Sequence, residues 1–228
     1  MLHHSRLLDD IAPDDPHVLV VLDDDPTGTQ SVADLPVLTA WDADTLEWGL
    51  GQKRPGVYIE TNLRSLDPGA AIDRLHTICR EVLATADRLR VPVTLMLRGD
   101  STLRGHFPLE TRVLEDALVA HDGQPVDAIL LVPAFPSAGR TTEGGIHYAM
   151  VGGRRTPVGE SEFARDTTFG FTSSSLSDWV QEKTEGAVGP DEIVHIGLDQ
   201  LRSCDLDNLL EIATDHRHVT CDIVTDED

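Results

Sequence analysis

Basic residues are scarce in this sequence. Lys and Arg number 18 against 40 Asp and Glu, a formal net charge of −22. Nucleic-acid binding depends on Lys and Arg displacing counterions from phosphates, so no nucleic-acid partner is expected. The same field opposes an anionic membrane surface. Aromatic residues make up only 4% of the chain, so the core must be aliphatic, built from Val, Leu, Ile and Ala. The three cysteines, Cys79, Cys204 and Cys221, are far apart and form no CxxC pair. That excludes a disulfide framework and a zinc site of that type, and leaves small buried hydrophobes. No stretch approaches the roughly 18 apolar residues of a membrane helix. The opening MLHHSRLLDDIAPDD lacks the apolar segment of a secretory signal. A cytoplasmic protein is therefore expected. Neither a GxxxxGK[ST] loop nor an HExxH pair occurs, and His3, His4, His76, His121, His195, His216 and His218 are scattered.

What is present is an alternation of apolar runs with helical patterns. Residues 1–16, polar and carrying Pro13 and Pro16, read as a flexible leader. HVLVVL (17–22) is a continuous apolar run ended by aspartates, as in a strand buried on both faces of a parallel sheet. Further strands are expected at 35–39, 57–61, 91–97, 128–133, 192–198 and 218–224. Helices are expected at 68–90, where Asp67 and Pro68 supply a cap and a first-turn proline, and at 108–121, 174–185 and 205–214. This order predicts an α/β fold: a mainly parallel sheet flanked by helices, Rossmann-like and three-layered. Residues 133–173 break the rhythm with Gly, Pro, Ser and Thr. A loop that long inside a compact domain is usually functional. We expect a small hairpin there, turning at Gly144–Gly145 and Gly152–Gly153, over the carboxyl edge of the sheet.

Carboxyl ends of parallel strands are where ligands bind in open α/β sheets. Four segments follow such ends or lie in the long loop. Asp23-Asp24-Asp25-Pro26-Thr27-Gly28 ends the first strand, and its carboxylates fit substrate hydroxyls, Mg²⁺ or a general base, or else an exposed acidic turn. Arg64 and Ser65, after the strand at 57–61, fit an anion clamp or plain capping. Arg98-Gly99-Asp100-Ser101-Thr102-Leu103-Arg104-Gly105-His106 packs guanidiniums, a carboxylate, hydroxyls and an imidazole beside glycines. It suits bidentate capture of a small carboxylate, or a helix cap with local ion pairs. Arg140, His147 and Glu160 are the polar candidates of the long loop.

Five blocks, DDPTGTQ (24–30), TNLRS (61–65), RGDSTLRGH (98–106), PAFPSAGRTT (133–142) and PVGESEFARD (157–166), occur in an order that resembles the four-carbon acid-sugar kinase family, formerly a domain of unknown function. The resemblance runs from about residue 17 to 225. It implies that 17–228 is the substrate-binding α/β domain of a kinase for threonate, erythronate or 3-oxo-tetronate, acting on the terminal hydroxyl. It assigns ATP and Mg²⁺ to a separate carboxy-terminal nucleotide-binding domain, a partner absent from this chain, so the chain alone is expected to bind a sugar acid and transfer no phosphate. It implies Asp24 and Asp25 as catalytic carboxylates, one of them the base. It implies substrate contacts from Thr27, Arg64, Ser65, Arg98, Asp100, Ser101, Arg104, His106, Arg140, His147 and Glu160, with no metal bound by the chain itself; a homodimer is allowed. Two other readings stay open: a stand-alone hydroxy-acid-binding module without catalysis, and a Mg²⁺-dependent phosphatase-type hydrolase.

Overall fold

The computed structural model describes residues 17–24, 33–203, 206–212, 214 and 217–228. Its first half runs β1 (Val18–Asp23), β2 (Val37–Leu38), α1 (Ala43–Leu50), β3 (Gly56–Glu60), α2 (Pro68–Leu89), β4 (Val93–Arg98) and α3 (Leu109–Asp122). The four strands form one parallel sheet in the order β2-β3-β1-β4. β1 is central, which is why its sequence is apolar on both sides. Val20 and Leu22 pair in register with Val57 and Ile59 on one flank and with Leu95 and Leu97 on the other. They pack into the main core with Leu75, Ile78 and Val82 of α2 and Val113 of α3. Leu19 and Met96 point the other way and are 37% and 40% exposed. The three described helices of this half pack on the Val20 and Leu22 face, while Val21 on the opposite face is also buried, and the parallel sheet flanked by helices is the α/β architecture the sequence predicts.

α2 begins as its sequence directs. The Asp67 side chain accepts the Ala70 N–H at 3.0 Å, and Pro68 occupies the first turn. α1 has an equivalent cap, with Asp42 accepting from Thr45, in a stretch with no helical pattern obvious in sequence.

The second half runs β5 (Ala128–Leu131), β6 (Arg140–Glu143), β7 (Ile146–Val151), β8 (Arg154–Pro157), α4 (Leu176–Lys183), β9 (Ile193–Ile196), α5 (Leu198–Arg202), α6 (Leu206–Ile212) and β10 (Arg217–Cys221). β5, β10 and β9 make a second parallel sheet, so the parallel strands are divided between two sheets. Where a small hairpin was expected, β6, β7 and β8 form a three-stranded antiparallel meander. Its turns are Gly144–Gly145 and Gly152–Gly153, all four with positive φ, as tight hairpin turns require. A second core holds Leu103, Val158, Phe171, Leu176 and Val180 around Trp179, whose ring stacks on Phe107 at 4.8 Å.

The meander is stitched to both neighbours. The Asp222 carboxylate, just past β10, accepts the Gly144 and Gly145 N–H groups, each at 2.9 Å, and meets His195 Nε2 of β9 at 3.1 Å. His147 of β7 donates through Nε2 to the Ser101 carbonyl at 2.8 Å, beyond the end of β4. That contact sets the hairpin at the carboxyl edge of the first sheet. Cys79 and Cys221 are buried thiols, pushed up by burial to about 12 and about 11, which suits inert packing groups. Among the described residues no helix is long and apolar enough to cross a membrane.

Candidate functional site

The ends of β1, β3 and β4 lie side by side, and their register brings Asp23 between Glu60 and Arg98. Thr61 closes the β3 end: its N–H and its hydroxyl both donate to the Asp23 carbonyl, at 2.7 and 2.6 Å. The Asp24 N–H donates to the Arg98 carbonyl at 3.1 Å. This pairing carries the acidic segment inward. Asp23 and Asp24 are 0% and 3% exposed, so for these two residues the acidic-turn alternative does not hold. Arg98 Nη1 reaches Asp23 Oδ1 at 3.4 Å. Asp25 and Thr27 lie outside the described residues.

The loop after β4 folds around Asp100. Its Oδ1 accepts the Thr102 N–H at 3.2 Å, while its Oδ2 receives the Thr102 hydroxyl in a close hydrogen bond and Arg104 Nε at 2.6 Å. Arg64 Nη1 comes to the same oxygen at 3.4 Å. No helix starts at Ser101 or Thr102; the Asp100–Thr102 turn replaces the predicted capping alternative. Burial by itself would lift the Asp100 carboxyl, but the hydrogen bonds from Thr102 and Arg104 win and hold it below the usual range. Two guanidiniums, one from the turn after β3 and one from the loop after β4, therefore share one ionised carboxylate. Both arginines follow backbone in the left-handed region, Asn62 at φ 51° and Leu103 at φ 67°. Leu103 is buried in the second core, which fixes the turn that aims Arg104.

The long loop covers this corner. The Arg104 guanidinium lies over the Phe163 ring at 5.2 Å. Asp166, whose carboxylate accepts the Thr168 and Phe169 N–H groups, is held low by those bonds first and by Arg104 and Arg64 in addition. Gly159 passes so close to the following turn that a β-carbon there would meet the Thr172 carbonyl at 2.4 Å.

Not every predicted contact faces this corner. His147 is 0% exposed. Its Nε2–H is committed to Ser101, so Nδ1 is left to accept the Thr142 hydroxyl at 3.0 Å, and burial holds the ring neutral. With both nitrogens occupied it positions the loop and has none to offer a ligand. His106, 5% exposed, uses Nε2 on the Leu63 carbonyl at 3.2 Å and packs edge-on against Phe169, so it supports Arg64 from behind. Ser65 is exposed and its hydroxyl donates to Asn62 in its own turn. Arg140 donates to the Ala138 carbonyl at 2.6 Å, and its Nε is buried without a partner. Glu160 is exposed, its carbonyl accepting from Arg165 at 3.5 Å. Ser101 is half-buried beside Asp100. The structure thus gathers Asp24, Arg64, Asp100 and Arg104, with Arg98 on Asp23 and Ser101 adjoining.

Among the described residues, neither carboxylate oxygen of Asp24 has a hydrogen-bond partner, and Oε1 of Glu110, in the first turn of α3, has none either. Buried polar atoms are normally satisfied, so an orphaned pair beside an arginine cluster calls for a functional reason. Burial drives Asp24 up to about 7, against the pull of Arg64 and with Glu110, Asp23 and Asp100 adding to the rise. Burial drives Glu110 up to about 7 as well, against the His106 backbone and Arg64. Asp23 rises to about 6 from burial, with Arg98 opposing. Glu110 escaped the sequence reading. Its signal was a carboxylate in helical register with Val113, Leu114 and Ala117, on the face that the pattern assigns to the core. Among the described residues no group of three His, Cys, Asp or Glu is placed to hold a metal ion.

A family profile described as the sugar-binding N-terminal domain matches residues 19–228. A curated relative, the D-erythronate kinase of Heliobacterium modesticaldum, is 29% identical over 139 residues, which is 61% of this chain and 28% of the kinase. Among solved structures, a domain of unknown function from Bordetella bronchiseptica, a domain-swapped dimer with bound citrate, superposes with a TM-score of 0.64 at 22% identity, covering 91% of this chain and 47% of that one. A putative tRNA synthase from Salmonella typhimurium LT2 gives 0.61 at 18% identity, over 91% and 48%. These likenesses at low identity establish the fold. The chain spans less than a third of the curated relative it matches and about half of the solved ones.

Proposed function

Because the chain belongs to the sugar-binding N-terminal domain family, we propose that it is the substrate-holding part of a sugar-acid kinase that phosphorylates a four-carbon acid of the erythronate or threonate type on its terminal hydroxyl. One observation carries this reading: Arg64 and Arg104 converge on Asp100 beside the orphaned carboxylate of Asp24. The guanidinium forks hold the substrate carboxylate, Asp100 and Ser101 meet its hydroxyls, and Asp24 accepts the proton of the hydroxyl that becomes phosphorylated. A carboxyl titrating near 7 suits that task, since a base works best with a pKa close to the operating pH. Such a group contributes about 10²–10⁴-fold, and the rest of the acceleration comes from alignment and charge.

ATP and Mg²⁺ belong, in this proposal, to a nucleotide-binding domain outside this chain, and no residue described above is assigned to them. The name of the Heliobacterium relative supports erythronate, and the citrate in the Bordetella relative, itself a hydroxy acid, supports the ligand class. The domain swap of that relative supports a dimeric assembly.

Calorimetric titration of the chain with erythronate, threonate, tartrate and ATP tests the reading. Heat is expected with a four-carbon hydroxy acid and none with ATP. A flat trace with every four-carbon acid, beside clear ATP binding, overturns it.

A further inference from the structure

Phe163 is an aromatic residue that core packing does not explain. The chain holds five phenylalanines. Phe171 lies in the second core, Phe107 stacks on Trp179 and Phe169 packs edge-on against His106. Phe163 belongs to none of the cores formed by the described residues. It is half-buried, and its ring lies against a cation. The central carbon of the Arg104 guanidinium sits 5.2 Å from the ring centroid, within the range of cation–π attraction.

The ring is held in place independently of the arginine. Phe163 opens a single helical turn, Phe163–Arg165. The next residue, Ala164, is buried in the second core, and its carbonyl accepts the Phe171 N–H at 3.1 Å. Two residues earlier, Ser161 is buried and donates its hydroxyl to the Val158 carbonyl. Gly170 lies so close to the turn that a β-carbon there would meet the Asp166 carbonyl at 2.7 Å. Arg104, by contrast, is tethered at one edge of its head group. Among the described residues its hydrogen bonds leave through Nε, to Asp100 Oδ2 at 2.6 Å and Thr102 Oγ1 at 3.1 Å. A planar guanidinium fastened along one edge can still swing about it. A ring against its face limits that swing and keeps water from that side.

We propose that Phe163 is a positioning residue for Arg104: fixed by the turn beside the second core, its ring sets the plane of the guanidinium so that the terminal nitrogens meet the carboxylate of an incoming sugar acid. This rests on the reading of Arg64 and Arg104 as the clamp for that carboxylate. A fork that is already oriented loses less freedom when the anion arrives, and the saving appears as affinity. The ring also matters because the chain as a whole carries a charge of −22, a field that opposes anions. An apolar wall beside the cation lowers the screening of its attraction for the substrate.

Two measurements on the full chain test this. In calorimetric titration with erythronate, Phe163→Leu should weaken binding by about 3–10-fold, the scale of a lost cation–π contact. Phe163→Tyr, which keeps the ring, should stay within about twofold of the parent. Added to Arg104→Ala, Phe163→Leu should cost nothing further, because the ring then has no guanidinium to hold. The second measurement needs no ligand. The Arg104 Nε–H resonance in ¹⁵N NMR, assigned by its disappearance in Arg104→Ala, should exchange with solvent several-fold faster in Phe163→Leu and at the parental rate in Phe163→Tyr. Phe163→Met, equally without a π-face, takes the place of Phe163→Leu should that variant not fold. An Nε–H exchange rate indifferent to Phe163 overturns the proposal, as does a loss of affinity that persists undiminished in the Arg104→Ala background. Responsive exchange without erythronate binding in the parent sinks the substrate assignment alone, and erythronate binding with unresponsive exchange sinks the Phe163 assignment alone.

Discussion

His147 Nε2 on the hairpin and the Ser101 carbonyl after β4 are joined by a 2.8 Å hydrogen bond that is closed to solvent at the histidine. That bond ties the meander to the loop carrying Asp100 and Arg104. His147→Ala removes a buried ring and leaves Ser101 and Thr142 without their partner. It should cost about 2–4 kcal/mol in urea unfolding. Loss of the sugar-acid binding heat should accompany it at temperatures where the variant is still folded.

Stability should respond to pH through the orphaned carboxyls, with a definite sign. Asp24 has a folded pKa near 7, above its unfolded value of 3.8. Between those values the folded state keeps a proton that the unfolded chain releases, so this group costs more stability as pH rises and its full cost is reached above about 7. Buried His147 works in the opposite direction near its unfolded value, so the total slope mixes both. Comparing variants isolates the carboxyl. Asp24→Asn should match the parent near pH 4 and gain roughly 1–3 kcal/mol over it by pH 8. Differential scanning calorimetry at several pH values checks this.

Arg104 holds Asp100 and rests on Phe163, yet it lies outside the main core. Arg104→Ala should leave the fold intact and weaken four-carbon acid binding by roughly 10–100-fold, the scale of a lost charge-assisted hydrogen bond. Titration calorimetry with circular dichroism on the same sample gives both readings. Unchanged affinity removes Arg104 from the site.

Gly159 has no room for a side chain. Gly159→Ala drives a methyl group into the Thr172 carbonyl and the Ser174 hydroxyl. It should destabilise the chain by about 1–3 kcal/mol. The fall in melting temperature should be accompanied by weaker protection of the 158–171 amides in hydrogen exchange.

Much of the fold was legible because its signals are local. Continuous apolar runs marked β1, β3, β4, β5, β9 and β10, Asp67–Pro68 marked the start of α2, and paired glycines marked both hairpin turns. The division of the parallel strands into two sheets was not legible, since nothing in β4 or β5 says that they stay apart. α1 was missed because its buried positions, Leu46, Gly49 and Leu50, are too few to show a period. At the site, the arginines and Asp100 could be read from polar density after strands. The roles of His106 and His147 could not: a histidine that bonds a distant carbonyl looks, in sequence, like one that meets a ligand. Glu110 was hidden by the opposite problem, a charged residue in an apolar register that only burial makes meaningful.

Asp222 sits just beyond one sheet, grips the turn of the second by two amides, and reaches a histidine on its own sheet's outer strand. A single carboxylate therefore acts as a rivet through two layers of the molecule. Motion of the hairpin cannot be a private affair of the loop, because swinging it away tears at the strand ends that anchor it. Whatever flexibility ligand entry requires must come from somewhere other than that fastening.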